Sequence, residues 1–217
     1  MTIPAALHVL ILDDHAIVRE GLRRILAETN DLVLAGDAAT SVEAFKLARV
    51  AEFDVLVLDI SMPDRSGVEV LKQFRQEFPK LPVLMLSMHR EDQYAIRSLK
   101  AGASGYLNKQ SAPAELANAI RQVAQGRKYI SPELAQQLAN QVGDDHQVPL
   151  HETLSDREYQ TLLMIAGGKT VGDIAGDLTL SVKTISMYRS RLLQKMKLRH
   201  NAELTHYAIK NQLLQED

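Results

Sequence analysis

The 217-residue chain has no cysteine, which excludes a disulfide framework, a thiolate metal site and a cysteine nucleophile. It fits a reducing setting, the cytoplasm. A long hydrophobic run is also missing: the early stretch Leu7-His8-Val9-Leu10-Ile11-Leu12 is far too short to span a bilayer, has no basic leader and runs into Asp13-Asp14. We read no targeting segment and no membrane partner. Neither sign of charge dominates the whole, with a net of −2, but acid is absent from one stretch. Lys183, Arg189, Arg191, Lys195, Lys197 and Arg199 follow one another with no Asp or Glu between them. Such a run reads as a solvated helix face or as the footprint of an anionic partner such as nucleic acid, and composition alone leaves the two about level.

What is present begins with a hydrophobic content of 46%, enough for a proper core, in a length that suits two small domains better than one large one. Up to about residue 127, apolar runs of strand length at 7–12, 32–35, 55–58, 83–86 and 106–107 alternate with segments of helical period. Ile17, Leu22, Ile25 and Leu26 form one expected stripe; Val68, Leu71 and Phe74 form another, and Leu116, Ile120 and Val123 a third. Five βα units with right-handed crossovers predict an α/β fold, a doubly wound five-stranded parallel sheet with helices on both faces.

The sharpest feature is the run Val55-Leu56-Val57-Leu58, which ends abruptly at Asp59 and is followed by Pro63 and Gly67. Ligands of an open parallel sheet bind beyond the carboxyl ends of its strands, and Asp59 stands there. Asp13 and Asp14 follow the first run, Ser87 the fourth, and Lys109 comes shortly after the fifth. Each has a plainer reading: the first two as helix starters, Ser87 as a turn residue, Lys109 as a surface charge. Polar residues at four equivalent strand ends make a shared site the better reading. Three carboxylates in one crevice repel unless a cation neutralises them, and an all-oxygen acidic set suits Mg²⁺ or Mn²⁺. A carboxylate there can attack phosphorus to form an aspartyl-phosphate, with the metal and a nearby Lys offsetting charge and Ser87 donating to the new phosphoryl oxygens.

Residues 7 to about 127 resemble the flavodoxin-like receiver domain of bacterial two-component response regulators, through Ile11-Leu12-Asp13-Asp14-His15, Leu58-Asp59-Ile60-Ser61-Met62-Pro63-Asp64-Arg65-Ser66-Gly67, Leu86-Ser87 and Gly102-Ala103-Ser104-Gly105-Tyr106-Leu107-Asn108-Lys109. The resemblance implies that Asp59 is the phosphoacceptor, that Asp13, Asp14, Asp59 and the Ser61 carbonyl hold the metal, that Ser87 and Tyr106 are a switch pair, and that Lys109 binds the phosphoryl group. Receivers commonly have proline directly after that lysine. Here Gln110 follows and the nearest proline is Pro113, so no cis-proline turn is expected.

After Gly126 a short helix is expected from Ser131-Pro132-Glu133 through Leu134, Leu138 and Val142, then a polar linker at 143–149. Ser155 and Glu158 form a capping-box pattern opening a helix with Leu162, Leu163, Ile165 and Ala166, stopped by Gly167-Gly168. Thr170 caps a second, short helix through Ile174, Ala175 and Leu178, weakened by Gly172 and Gly176. Beyond a turn at Thr179-Leu180, Ser181 caps a third, running to about Lys197. Ile185, Leu192 and Met196 share its core face, while Lys183, Met187, Ser190, Gln194 and Lys197 share the opposite one. A short helix, a tight turn and a longer basic helix make a helix-turn-helix, whose second helix enters the major groove.

Leu154-Ser155-Asp156-Arg157-Glu158, Ile174-Ala175 and Leu180-Ser181-Val182-Lys183-Thr184-Ile185 resemble the LuxR-type, GerE-like DNA-binding domain, so the chain as a whole resembles the NarL/FixJ class of response regulators. Gly172-Asp173 stands where many relatives have Lys-Glu. Ser186 and Tyr188 replace a common basic residue and His, and Tyr188 reads better as a core-edge aromatic than as a phosphate contact. The resemblance implies DNA contacts among Lys183, Thr184, Ser186, Met187, Arg189, Ser190, Arg191, Gln194, Lys195 and Lys197. It divides the chain into a receiver at 1–127, a linker with a short helix at 128–151 and a small all-α helix-turn-helix domain at 152–217. The expected function is a transcriptional regulator, not an enzyme, phosphorylated on Asp59 by a sensor histidine kinase with Mg²⁺ and then dimerising on promoter DNA. A metal-dependent phosphotransferase or phosphatase would use the same acids, but no substrate-binding insertion is evident and the helix-turn-helix would be left over. A receiver that is never phosphorylated and serves only to dimerise is the third reading.

Overall fold

The computed structural model describes residues 6–62, 65–88, 93–132, 134–136, 149–211 and 213–214, and the chain divides into two compact units, 1–142 and 143–217. The first alternates strand and helix: β1 (Leu7–Leu12), α1 (Ala16–Ala27), β2 (Leu32–Ala38), α2 (Ser41–Val50), β3 (Val55–Asp59), α3 (Gly67–Glu77), β4 (Val83–Ser87), α4 (Gln93–Lys100), β5 (Gly105–Asn108) and α5 (Ala112–Ala124). The strands lie in the order β2-β1-β3-β4-β5, and every pair is parallel. Residues of β3, β4 and β5 are all buried, which is why these strands read as unbroken apolar runs. Parallel register puts Asp59 level with Leu86, one residue before Ser87, and Ser87 level with Asn108. All these polar strand ends therefore meet along one edge.

The expected stripes of α3 and α5 are buried, but that of α1 needs correction. Leu22 and Leu26 are in the core, whereas Ile17 is 83% exposed. At about 100° per residue, the five-residue step from Ile17 to Leu22 carries a side chain about 140° round the helix. The two cannot share a face. Strand β2 runs on through Gly36 and Asp37 to Ala38, three residues past the apolar run, as a half-exposed edge strand.

Beyond α5, Tyr129 lies along the outer edge of β5: Tyr106 N–H donates to Tyr129 O (2.9 Å) and Tyr129 N–H to Ser104 O (3.1 Å). Ser131 Oγ accepts from Leu134 N–H (3.1 Å), starting the expected short helix at a fully buried Leu134. Leu138, Val142 and nearly all of the 143–149 linker lie outside the described residues.

The second unit opens with a 3₁₀ turn (Leu150–Thr153), followed by α6 (Asp156–Ala166), α7 (Val171–Asp177), α8 (Val182–Met196) and α9 (Asn201–Lys210). Ser155 and Glu158 close the capping box as expected. Thr170 and Asp173 form another, which explains why an acid at 173 suits this chain: its carboxylate accepts from Thr170 N–H (2.9 Å) at the start of a helix that two glycines weaken. Ile185, Leu192 and Met196 of α8 are buried, as are Leu162, Ile174 and, from α9, Leu204 and Ala208. Helix α9 is absent from the sequence reading, since Leu204 and Ala208 are a thin stripe. Among the described residues no helix is long and apolar enough to cross a membrane.

Candidate functional site

In the first unit the carboxyl ends of β1 and β3 hold Asp13 and Asp59, each 1% exposed, with the half-buried Asp14 beside them. One ligand atom from each of Asp13, Asp14, His15 and Asp59 lies within 4.8 Å of the others. Lys109 reaches in from the end of β5, its Nζ 2.6 Å from Asp13 Oδ2 and 3.0 Å from Asp59 Oδ1. Its backbone N–H donates to Ser87 O at 2.8 Å, tying the lysine loop to the end of β4. Burial pushes the Asp59 carboxyl above its ordinary range; the Asp13 charge adds to this, and Lys109 and the Ser61 N–H pull against it.

One ammonium faces three carboxylates, so the cluster is short of positive charge. Asp13 Oδ2 and Asp59 Oδ1 have to share that one ammonium, and Asp14 Oδ1 has only the His15 ring beside it, at 3.0 Å. Buried carboxylate oxygens in that state call for a cation, and the oxygen donor set fits a hard divalent metal. Ser87 is fully buried at the neighbouring strand end, and Tyr106, 1% exposed, lies opposite Met85 deeper in the sheet. The structure thus gathers Asp13, Asp14, Asp59 and Lys109 directly, with Ser61 and Ser87 adjoining, and places Tyr106 two strand positions further in.

Two residues that stand in the quoted motifs, but to which the sequence reading gave no role, take part in this geometry. His15 sits with its Nδ1 3.0 Å from Asp14 Oδ1, and its place directly after the acid pair was the available signal. Gly67 starts α3 so close to β3 that a Cβ there would lie 2.3 Å from Asp59 O and 2.6 Å from Ile60 Cα. At the departure from the receiver pattern, Gln110 N–H donates to Asn108 Oδ1 (2.8 Å), a bond that proline would lack.

In the second unit α8 exposes Lys183, Ser186, Met187, Ser190, Arg191, Gln194, Lys195 and Lys197, with Thr184 and Arg189 half-buried. Several of these are held within the unit. Thr184 Oγ1 is 2.8 Å from Ser181 Oγ at the cap, and Arg189 Nε donates to Asn201 Oδ1 at 2.6 Å. Lys195 Nζ is 2.6 Å from Glu158 Oε2, so this cation already has a partner in the capping box of α6. Lys183, Arg191 and Lys197 have no ion-pair partner among the described residues. Tyr188 is half-buried, as an aromatic at the core edge would be.

Burial raises the Glu158 pKa, but the Lys195 ammonium and the Ser155 N–H and hydroxyl outweigh it and hold the carboxyl below its ordinary 4.5. A lowered folded-state value stabilises above the unfolded pKa and is lost as pH falls through the folded one. Amide exchange in α6 of the full chain should therefore be slower than in Glu158→Gln at neutral pH, by a protection worth about 1–2 kcal/mol. The difference should fade below about pH 4.5, and a gap unchanged down to pH 3 would disprove the assignment.

Comparison with known proteins agrees with both halves of this geometry. The family model of the response regulator receiver domain matches residues 9–121, and that of the bacterial regulatory proteins of the luxR family matches residues 152–208. The response regulator UvrY of Escherichia coli K12 is 38% identical over 208 residues, covering 95% of each chain. GacA of Pseudomonas aeruginosa is 38% identical over 205 residues, 94% of this chain and 95% of its own. Among solved structures, RcsB from Salmonella enterica serovar Typhimurium, bound to the promoter rprA in the presence of phosphomimetic BeF₃⁻, is 26% identical with a TM-score of 0.63, covering 93% of this chain and 98% of its own. With an acidic pocket at the strand ends of one unit, a helix-turn-helix in the other and relatives matched over nearly their whole length, this chain belongs to the LuxR-family two-component response regulators.

Proposed function

We propose that Asp59 accepts a phosphoryl group from a sensor histidine kinase in the cytoplasm, and that the phosphorylated chain dimerises and binds promoter DNA through α8. The observation that carries this reading is Lys109 Nζ poised between Asp13 and Asp59 at the carboxyl edge of the sheet. An Asp59 oxygen attacks the phosphorus, the new O–P bond forms as the N–P bond to the kinase imidazole breaks, and the result is an acyl phosphate. Mg²⁺, held by Asp13, Asp14, Asp59 and the Ser61 carbonyl, or Mn²⁺ in its place, would neutralise the charge of the incoming group. Lys109 offsets charge from the other side, and the Ser87 hydroxyl donates to a phosphoryl oxygen. Drawing Ser87 toward the phosphate favours the state with Tyr106 inside, shifting an existing equilibrium and with it the receiver surface through which two copies meet. The chain is then a phosphoryl acceptor rather than a turnover enzyme.

In the second unit, Lys183, Met187 and Ser190 form the outward face near the start of α8 that reads bases, and Arg191 holds phosphate. The test is DNA binding by the full chain with and without acetyl phosphate, each with Mg²⁺ or with chelator. Phospho-donor and Mg²⁺ together should tighten operator binding and produce a dimer. Met187→Ala should cost about 1–3 kcal/mol on operator but little on random DNA, while Arg191→Ala weakens both and lowers the salt slope by about one. Operator binding and oligomeric state indifferent to the donor would overturn the reading.

A further inference from the structure

We propose that Arg19 is a positioning residue of the acidic centre, its guanidinium clamping the backbone of Asp13 to Asp37 so that the Asp13 carboxylate keeps its place toward a metal ion. This rests on the reading of Asp13, Asp14 and Asp59 as that ion's site. Arg19 Nη1 donates to Asp13 O at 2.7 Å, and Arg19 Nε to Asp37 Oδ2 at 3.1 Å. One planar group thus ties the carboxyl end of β1, where Asp13 stands, to Asp37 near the end of the neighbouring strand β2. Asp13 is held at its other polar groups as well: its N–H donates to Ala38 O (3.2 Å), its Oδ1 accepts from His15 N–H (2.9 Å), and its Oδ2 lies 2.6 Å from Lys109 Nζ. Arg19 secures the carbonyl, the point where the chain leaves the sheet for α1.

Helix α1 itself gives no reason for the cation. Arg19 lies near its start, where the helix dipole favours acids and opposes a positive charge, and the first turn contains no acid. The tilt of helical side chains toward the N-terminus carries the guanidinium back over the loop between β1 and α1, onto the carbonyl six residues before it. The Arg19 side chain is only 18% exposed, so its two bonds are largely shielded from water. Arg23, one turn on, also reaches Asp37, its Nη2 2.9 Å from Oδ1, but it is exposed and among the described residues no bond joins it to Asp13. Two cations therefore grip Asp37, and Arg19 is the one that passes the grip on to Asp13. A guanidinium fork holds a carbonyl and a carboxylate at once, whereas an ammonium that reaches the one leaves the other. Groups that orient a metal ligand without touching the ion commonly govern about 10–100-fold in affinity. The sign separates this role from plain electrostatics: deleting a positive charge near a cation site would tighten binding, while loosening Asp13 weakens it.

The experiment follows Mn²⁺ binding to metal-free, full-length protein by the electron paramagnetic resonance of the free ion, with Mg²⁺ as competitor, in the parent, Arg19→Gln, Arg19→Lys and Arg23→Gln. Arg19→Gln should lose about tenfold in affinity for both ions and Arg19→Lys about threefold, while Arg23→Gln stays within about twofold of the parent. Labelling of Asp59 by acetyl phosphate should return to within about threefold of the parent in each variant once Mg²⁺ is saturating, which separates a weakened site from an unfolded one. Unchanged or tighter binding in Arg19→Gln, or a loss in Arg23→Gln equal to it, overturns the proposal while leaving the acidic centre standing. Should Arg19→Gln fail to fold, Arg19→Lys decides, and binding equal to the parent's overturns the proposal. Ions that bind as well to Asp59→Asn as to the parent would instead remove the centre itself, and the proposal with it.

Discussion

Asp59→Asn is expected to abolish phosphoryl uptake from acetyl phosphate and, with chelator present at neutral pH, to give a protein that melts at a higher temperature than the parent. Both effects come from one carboxylate. Asparagine has no anionic oxygen to attack phosphorus, so labelling should vanish. Folding, by contrast, has to bury the Asp59 charge beside Asp13 with a single lysine to share, and its pKa is raised accordingly, burial being the main cause. A raised folded-state value for an acid means that the folded protein binds its proton more readily than the unfolded chain. Stability is then fully present below the ordinary value of 3.8 and declines as pH rises through the raised one. The variant escapes that decline, so its advantage should be largest at neutral pH and should shrink on acidification. Mg²⁺ should reverse the order: at about 100 times its dissociation constant it stabilises a protein that binds it only when folded by about 2.7 kcal/mol, and the variant gains less. Thermal melts of both proteins across pH, with and without Mg²⁺, test this. A variant less stable than the parent in chelator would contradict the argument from the buried charge.

Gly67→Ala should be the most disruptive single-methyl change in the receiver unit. Its Cβ would meet Asp59 O at 2.3 Å and Ile60 Cα at 2.6 Å, and neither is the far end of a flexible side chain. The clash is relieved only if the start of α3 parts from the end of β3, where Gly67 N–H now donates to Ile60 O at 2.9 Å. We expect a loss of about 3 kcal/mol in urea unfolding. Because the displaced backbone carries Asp59, labelling should slow by about 100-fold in whatever fraction remains folded. Gly21→Ala is the matching control. It lies exposed within α1 with nothing within 4 Å of its added Cβ, so the helix should gain about 0.5–1 kcal/mol. Equal behaviour of the two variants would mean that the contact between α3 and β3 does not position Asp59.

The sheet was legible because three of its strands are buried on both faces: a run such as Val83-Leu84-Met85-Leu86 has no other comfortable home, and the polar residue that ends it marks the edge of the sheet. The same logic located Asp59, Ser87 and Lys109. Where one side of an element faces water the signal thinned. Strand β2 includes Gly36 and Asp37 and was read short, and Ile17 was drawn into a stripe whose five-residue step no helix face allows. Interactions between distant segments were beyond reach for a different reason. The pairing of Lys195 with Glu158 joins residues 37 positions apart, and both had complete local explanations as a surface cation and a capping acid. Tertiary proximity alone turned a free charge into a paired one. Gly67 was visible as a turn glycine, but the backbone approach that demands it exists only once α3 is folded against β3.

The segment around Tyr129 bears on how copies of this protein can meet. An open sheet ends in two rows of unpaired peptide groups, each a template on which another chain can add a strand. On the β5 side, Tyr129 already takes the Tyr106 N–H and gives its own to Ser104 O, and Gly105 lets it approach so closely that a Cβ would lie 2.8 Å from its carbonyl oxygen. On the β2 side the pairing with β1 shifts at Ala35, and Asp37, bound by Arg19 and Arg23, puts fixed charge on the rim. Sheet extension is thereby blunted at both ends, which guards a crowded solution of this regulator against filaments built by strand addition.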